Sequence, residues 1–247
     1  MPPLAVDTHV HLHPGVDPDA WLTHAVNNAT RAMPDAAGLV LCLTERAGVH
    51  RFAELLSRPD ATPAGGNSGG DTAGVTLRPN AADGFPVMVL PGRQVVTAQR
   101  IEVLLLGLVG DPVPDGGATD ALLRDPPPGC LPVLPYGVGK WLGRRGRTVA
   151  GYPAVAKADI VGRVRVPGLR RPRPLRGRVL RGTDPLPIPG DEAVTARFGN
   201  RVELDPKRAD WPEALLAALR DRPKGYGRHL TPVAAVRRQV ALRRSRA

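Results

Sequence analysis

Three alternating histidines lie in the segment Leu4-Ala5-Val6-Asp7-Thr8-His9-Val10-His11-Leu12-His13-Pro14. The other segments are interpreted by their relation to this motif. Its apolar start predicts a β-strand, in which alternate side chains point to the same face. On that alternation Asp7, His9 and His11 share one face. His13 follows just beyond the strand. Two imidazoles at i and i+2 of a strand are fixed before an ion arrives, so the spacing favours a divalent metal site. The alternatives are a chance cluster and histidines hydrogen-bonded within a half-buried strand.

The later segments alternate between apolar runs and helical patterns. Strands are predicted near residues 38–43, 85–94, 101–108, 131–135, 159–166 and 178–184, and helices near residues 17–33, 49–56, 119–124, 211–222 and 231–246. Such alternation is typical of a parallel α/β sheet. About seven strands with polar residues at their ends favour a distorted (β/α)7 TIM-like barrel. The first strand is not followed by a glycine-rich dinucleotide fingerprint, which argues against a doubly wound sheet.

We expect a single domain with three regions. Residues 1–190 form the predicted barrel, and residues 191–247 form a C-terminal helical extension packed on it. Residues 57–84 are rich in Pro, Gly, Asn, Ser and Asp with little periodicity, so they are predicted to be an exposed, flexible insertion. In the last helix, Val233, Val236, Val240 and Ala241 recur along one face. We therefore expect these apolar residues to pack on the barrel and the helix arginines to be solvated.

Composition limits the class of protein. The chain has 247 residues, of which 42% are hydrophobic but only 4% aromatic, so its core must consist of Val, Leu and Ala. No run approaches the roughly 18 apolar residues that span a bilayer. A basic region followed by an apolar one, as in a secretory signal, is not found at the start. Cys42 and Cys130 are too few for a disulfide framework, so we expect a cytoplasmic protein without a membrane partner.

The net charge of +11 indicates which classes of partner this protein could bind. A basic chain admits nucleic acid as a partner. However, the excess is mostly arginine in a chain rich in Ala, Gly and Pro, which indicates a codon bias. Stacking aromatics and known nucleic-acid-binding motifs are also missing. We therefore expect a small anionic molecule to be the partner and do not favour nucleic acid.

The motif of alternating histidines resembles the opening of metal-dependent hydrolase barrels. It is most similar to the polymerase and histidinol phosphatase (PHP) family, with the amidohydrolases second. Leu39–Arg46 resembles the second strand of that family. Arg181–Leu186 resembles its closing Ser-Asp-x-His segment, in which Asp184 is kept and Leu186 replaces the histidine. The resemblance spans residues 4 to 190 and is specific only at its two ends.

The resemblance implies a ligand set. His9, His11 and Asp184 would converge on one metal ion, with Gln94 near the position of a bridging carboxylate. Most residues that would hold further ions are replaced, so we expect one divalent ion per chain or none. Two histidines and an aspartate suit Zn²⁺, Mn²⁺ or Fe²⁺. Asp184 would bind the ion or act catalytically by taking a proton from water. Its alternative role is that of a turn residue before Pro185.

A glycine-rich segment, Gly137-Val138-Gly139-Lys140-Trp141, follows the predicted strand that ends at Tyr136. Backbone N–H groups of such a turn, together with a lysine, suit phosphate or carboxylate groups. We therefore predict that Lys140 binds substrate and acts in catalysis. Tyr136, Arg144 and Arg145 are predicted to complete the substrate site. The alternative is a flexible loop with solvated arginines.

These observations predict a metal-dependent hydrolase that acts on a phosphoester. Hydrolysis of an amide or lactone at the same metal is the second hypothesis. The missing ligands support a third, in which the barrel has lost catalysis and serves as a binding or scaffold protein.

Overall fold

The computed structural model describes residues 3–64, 74–79, 84–136, 143–161, 163 and 178–245. Strands in these ranges are β1 (Pro3–Val10), β2 (Leu39–Glu45), β3 (Ala61–Ala64), β4 (Gly74–Leu77), β5 (Val87–Val96), β6 (Glu102–Leu106), β7 (Leu131–Pro135), β8 (Ala156–Ile160), β9 (Val179–Gly182), β10 (Phe198–Glu203) and β11 (Lys224–Gly227). The helices are α1 (Pro18–Ala32), α2 (Arg51–Leu56), α3 (Thr119–Arg124), α4 (Gly143–Ala150), α5 (Trp211–Leu219) and α6 (Pro232–Arg244), with a 3-10 turn at Asp191–Val194. Within the ranges given, no helix combines the length and apolar character that crossing a membrane requires.

The strands form one mixed, nearly closed sheet in the order β11-β10-β1-β2-β5-β6-β7-β8-β9, with the β3–β4 hairpin paired to β5. The pairs β1–β2, β2–β5, β7–β8 and β8–β9 are parallel. Strand β6 is antiparallel to both of its neighbours, and β10 is antiparallel to β1. Consequently β1, β2, β5, β7, β8 and β9 all end at the same end of the sheet.

The predicted (β/α)7 TIM-like barrel is therefore wrong. Strands β5 and β6 are antiparallel neighbours joined by a tight turn, in which the Thr97 amide donates to the carbonyl of Ile101. Residues 191–247, expected to form a helical extension, contribute β10 and β11 to the same sheet. The error has a physical cause. Nearly every residue of β5 and β6 is buried, and continuous apolar runs of this kind are typical of parallel strands.

The sheet separates two main apolar layers. One faces the interior, where strand residues pack with α5; its members include Leu4, Val6, Val40, Cys42, Met88, Leu90, Leu104, Val133, Leu180 and Trp211. The other layer lies outside the sheet beneath α1 and α2, and includes Trp21, Leu22, Leu41, Phe52, Leu55 and Val89. Helix α1 begins where the Asp17 carboxylate accepts from the amides of Asp19 and Ala20.

The predicted flexible insertion contains ordered structure. Strands β3 and β4 form a hairpin inside residues 57–84, and β4 pairs with β5. Val75 and Leu77 of β4 are buried in the outer layer. This burial accounts for the order of the hairpin. Residues 65–73 and 80–83 of the predicted insertion lie outside the described ranges.

Helix α6 packs through a face opposite to the predicted one. Val233, Val236 and Val240 are 61%, 56% and 43% exposed, whereas Ala235 is buried. Arg238, expected to be solvated, forms a bidentate ion pair with the buried carboxylate of Asp191, at 2.6 and 2.5 Å. A buried carboxylate without its cation would be costly. The ion pair therefore accounts for the orientation of α6 better than the valine pattern does.

Candidate metal centre

Strand β1 is irregular at the histidine motif, and this irregularity determines which side chains meet. The pairing of β1 with β2 shifts register between Asp7 and Val10. Asp7 is fully buried and does not belong to the group formed by His9, His11 and Asp184. It accepts hydrogen bonds from the Thr183 hydroxyl at 2.5 Å, and from the amides of Thr183 at 3.0 Å and Ala196 at 2.9 Å. The expectation that Asp7 shares a face with His9 and His11 is wrong, because a bulge breaks strict alternation.

The Asp7 carboxylate has a structural role. Burial raises its pKa to about 7, although the Thr183 hydroxyl and the neighbouring amides act in the opposite direction. Its bonds connect β1 to Thr183, the residue that follows β9, and to Ala196 before β10. Because Thr183 precedes Asp184, these bonds also fix where Asp184 lies relative to β1.

Three polar side chains converge where β1 and β9 end. The Nε2 atoms of His9 and His11 lie 3.1 Å apart. The Asp184 Oδ1 atom lies 3.6 Å from His9 Nε2 and 3.4 Å from His11 Nε2. All three ligand atoms fall within 4.8 Å of one another. Both histidines are buried and Asp184 is 17% exposed, so this group could bind a metal ion near the surface.

The tautomer of His11 follows from its other ring nitrogen. Its Nδ1 atom lies 2.6 Å from the carbonyl oxygen of Thr44, at the end of β2. A carbonyl oxygen only accepts, so Nδ1 carries the proton. In neutral His11 the Nε2 lone pair therefore points toward His9 and Asp184. Metal-binding histidines are commonly oriented in this way by a backbone carbonyl.

The backbone of Asp184 is held in an uncommon conformation. Its φ of +47° lies in the left-handed region, which aspartate tolerates better than most residues. Its amide donates to the His9 carbonyl at 2.8 Å, and its own carbonyl accepts from Arg238 Nη2 at 3.1 Å. The ion-pair partner of Arg238, Asp191, also accepts from the Leu186 amide at 2.5 Å. The whole Asp184–Leu186 turn is thus fixed by α6 and the 3-10 turn.

Gly182 permits the close approach of β9 to β1. A Cβ atom at this position would lie 2.6 Å from the His9 Cβ and 2.7 Å from the His9 amide nitrogen. No side chain fits at that distance. A glycine just before the Thr183-Asp184 pair therefore brings Asp184 within reach of His9.

Gln94 lies on the interior face of β5. It pairs with Leu104, which belongs to the interior layer, and paired residues of antiparallel strands point to the same side. The Gln94 Oε1 atom is buried and accepts no hydrogen bond from the described residues. Buried polar atoms seldom remain unpaired, and an amide oxygen can bind a metal ion. Gln94 therefore remains a candidate fourth ligand.

His13 lies beside the cluster, in a position that the metal prediction did not use. Its Nε2 atom lies 2.9 Å from the carbonyl oxygen of Pro185, and burial lowers its pKa. A cavity of about 20 Å³ separates the 11–14 segment from the end of β2, and His11, His13, Glu45 and Arg46 contribute to its lining. This volume accommodates one water molecule. The sequence identified His13 as part of the motif but gave no indication that Glu45 and Arg46 face it.

Only some of the residues predicted to bind substrate lie within the described ranges. Tyr136 follows β7 at the same end of the sheet as the histidines, is half-buried, and its amide donates to the Ala158 carbonyl at 2.8 Å. Burial raises the pKa of the Tyr136 hydroxyl. Arg144 and Arg145 are exposed in the first turn of α4. Lys140 lies outside the described residues, so its predicted role in substrate binding and catalysis stays a prediction.

A cavity of about 940 Å³ lies at the other end of the sheet. It is lined by residues before β2 and β5 and by the segment that leads into α5, among them Ala37, Pro86, Lys207 and Trp211. The histidines lie at the opposite, carboxyl end of β1. This cavity therefore does not belong to the His9–His11–Asp184 cluster.

Sequence reasoning did not identify three residues that shape the centre. The Thr44 carbonyl orients His11, and the Arg238–Asp191 ion pair holds the Asp184 turn. A backbone carbonyl leaves no trace in sequence. Arg238 is one of several arginines in α6, and nothing in the spacing distinguishes it from the others.

Comparison with known proteins gives a fold but no family. No family model matches the chain, and no curated protein matches it. Among solved structures, the chain is similar to the crystal structure of PsfC from Pseudomonas syringae PB-5123, with a TM-score of 0.56 and 17% sequence identity. The match covers 100% of this chain and 98% of that one. At this identity the similarity concerns the fold alone.

Proposed function

We propose that this protein is a metal-dependent hydrolase that binds one divalent ion through His9, His11 and Asp184 and cleaves a small phosphoester. The observation that carries the proposal is the convergence of two buried imidazole nitrogens and a carboxylate oxygen within 4.8 Å. These side chains come from two segments far apart in the sequence, β1 with the residue after it and the turn that follows β9. Two parts of the fold, the β1 bulge and the left-handed Asp184, are needed to bring them together.

The donor atoms fit a divalent ion. Nitrogen and oxygen ligands lie about 2.0–2.2 Å from zinc, so atoms separated by 3.1 to 3.6 Å are close enough to share one ion. The His11 Nε2 lone pair and the Asp184 oxygen are both electron-rich and lie 3.4 Å apart. A positive charge between them removes their repulsion. A divalent ion held by the three side chains would supply that charge, and metal titration tests whether one binds.

The chain's own residues supply orientation and proton transfer. When bound, an ion of this kind acts as a Lewis acid and lowers the pKa of a bound water to roughly 7. The Thr44 carbonyl accepts from His11 Nδ1 and so directs the Nε2 atom toward the other two side chains, and the fixed Asp184–Leu186 turn keeps the carboxylate near both imidazoles. Asp184, at the edge of the buried cluster, is the group placed to accept a proton from water. Gln94 is proposed as an additional oxygen ligand.

The substrate class is inferred from charge. The chain carries a net charge of +11, and the end of the sheet that holds the histidines also carries Arg46 and Tyr136. Arg144 and Arg145 lie exposed in the helix after Tyr136. Cations near a metal centre suit an anionic substrate such as a phosphoester. Lys140 is proposed to bind a substrate oxygen that the ion does not contact.

Hydrolysis assays test this proposal. Protein loaded with Zn²⁺, Mn²⁺ or Fe²⁺ is assayed on phosphomonoesters, phosphodiesters and lactones. We expect phosphoester cleavage that is lost in the His9→Ala, His11→Ala double variant. His24→Ala, which removes an exposed histidine from α1, is the matched control and keeps full activity. Cleavage of lactones alone would change the substrate class, and no cleavage of any substrate by metal-loaded protein would refute the hydrolase.

In the same assay, Lys140→Ala separates two roles for the lysine. A fall in kcat of about 100-fold with unchanged metal content indicates that Lys140 stabilises charge formed in the transition state. A rise in KM with unchanged kcat indicates that it only binds substrate.

A further inference from the structure

In the part of the chain that the structure describes, helix α6 has one face packed on the protein and another that is exposed. The fixed face consists of Ala235, which is buried, and Arg238, which is paired with Asp191. The other face presents Val233, Val236 and Val240, which are 61%, 56% and 43% exposed. Most exposed apolar residues occur singly and require no explanation. Three β-branched residues aligned on one helix face are a continuous apolar strip.

The spacing of the strip is that of a coiled-coil seam. Val233, Val236 and Val240 follow each other at intervals of three and four residues, as positions a, d and a of a heptad do. In the same register Arg237 and Arg244 occupy e positions, and both are exposed. Neither makes an ion pair with a carboxylate among the described residues. Residues at e and g flank the seam and choose its partner by charge.

We propose that this face of α6, Val233–Val240 with Arg237 and Arg244, is the docking surface for an acidic α-helix of another protein. That helix would have apolar residues at the a and d positions that face the valines, and Glu or Asp at the d position that faces Arg243 and at the g positions that face Arg237 and Arg244. Valine at a favours a parallel pair of two helices. With three valines the contact is small, so the complex is expected to be weak and reversible.

Other occupants fit the same face less well. In a second copy of this chain, parallel pairing places Arg243, at a d position, against itself across the seam. Antiparallel pairing instead brings the e-position arginines of the two helices together. Helices that lie on a lipid surface typically use Trp, Phe and Leu on the apolar face, and the strip has none. Nucleic acid would be bound through the arginines alone and does not account for the valines.

Two matched peptides test the proposal on the full-length protein. One is a synthetic helix about three heptads long with Leu at a and d and Glu at e and g; its twin has Lys in place of Glu. Fluorescence anisotropy is measured with each. We expect the acidic peptide to bind at least about 10-fold more tightly than the basic twin, with a preference that weakens as salt is raised.

Variants connect binding to the strip. The double variant Val236→Ser, Val240→Ser should weaken binding of the acidic peptide at least about 10-fold and leave the thermal midpoint unchanged, because both side chains are exposed. Val96→Ser, in a valine of β5 that is 37% exposed, is the matched control and should alter neither. Arg237→Gln with Arg244→Gln should remove the preference for the acidic peptide over its twin.

Several results would overturn the proposal. Equal binding of the two peptides, or binding of neither, rules out an acidic helix as the occupant. A dimer in sedimentation that Val236→Ser converts to monomer assigns the face to a second copy of the chain. Binding to phosphatidylglycerol vesicles or to duplex DNA that depends on the arginines but not on the valines assigns it to an anionic surface instead.

Discussion

The amide of Asp184 donates to the carbonyl oxygen of His9 at 2.8 Å, and this bond joins the two segments that carry the metal ligands. The bond requires Asp184 to adopt a φ of +47°, which costs about 1–2 kcal/mol for a residue with a Cβ atom. Arg100, Ala196 and Arg222 also have positive φ, so this conformation alone does not identify a functional site. The bond matters because it keeps the Asp184 carboxylate 3.4 to 3.6 Å from the two imidazoles of the proposed metal centre.

Substitution of Asp184 separates its charge from its conformation. Asparagine tolerates the left-handed region as well as aspartate does, so Asp184→Asn should leave the thermal midpoint nearly unchanged. It removes the negative charge, so metal affinity should fall by at least about 10-fold. Isothermal titration with Zn²⁺ measures the affinity. Unchanged affinity in Asp184→Asn would show that the carboxylate is a turn residue and not a ligand.

The Arg238–Asp191 ion pair should affect the metal centre without contacting it. Arg238→Met removes the donor to the Asp184 carbonyl and leaves the buried Asp191 without its cation. We expect metal affinity to fall about 10- to 100-fold, as for other residues that orient ligands. The matched control is Arg201→Met, which breaks an exposed ion pair with Asp35. If Arg238→Met binds Zn²⁺ as tightly as Arg201→Met does, α6 has no part in positioning Asp184.

A second buried ion pair should make the protein sensitive to acid. Asp159 accepts two hydrogen bonds from Arg163, at 2.6 and 2.8 Å, and lies 3.3 Å from His229 Nε2. Burial tends to raise the pKa of Asp159, but the bonds from His229 and Arg163 outweigh it and the pKa is lowered. A lowered pKa stabilises the folded state above the unfolded pKa of about 3.9, and this contribution is lost as pH falls through the folded value.

The Asp159→Asn variant tests this ion pair. At pH 7 it should lower the free energy of unfolding by about 3–5 kcal/mol, because Arg163 is left as a buried, uncompensated charge. Urea unfolding at pH 7 and near pH 3 gives the comparison, and the difference from wild type should shrink at the lower pH. Asp210→Asn, at an exposed ion pair with Arg208, serves as the control. If the difference in free energy of unfolding between wild type and Asp159→Asn does not change with pH, Asp159 and Arg163 do not form an ionised pair.

Local structure was largely predictable from the sequence. Strand β1, helix α1 and the short helix α3 lie where periodicity and capping predict them. The pairing of His9 and His11 with Asp184 was predicted from a family resemblance, and the structure brings the three side chains together. That part depended on the resemblance at residues 181–186, because no local pattern connects Asp184 with the two histidines.

Non-local features were not predictable. The antiparallel direction of β6 is an exception that was missed, because the predicted strands 85–94 and 101–108 leave six residues between them and a parallel crossover needs about a dozen. The bulge that separates Asp7 from the group of His9, His11 and Asp184 depends on how β1 pairs with β2. For α6, the valine pattern indicates an apolar face, but the buried carboxylate that attracts Arg238 comes from the 3-10 turn. The errors at Asp7 and α6 arose where a contact between distant segments outweighed a local pattern.

Metal uptake tests the central claim most directly. Protein purified without a histidine tag or chelator is analysed for metals and then titrated with Zn²⁺ and Mn²⁺. We predict about one ion per chain, lost in the His9→Ala, His11→Ala double variant and kept in His24→Ala. Wild-type protein that contains no metal and takes up neither ion would contradict the account.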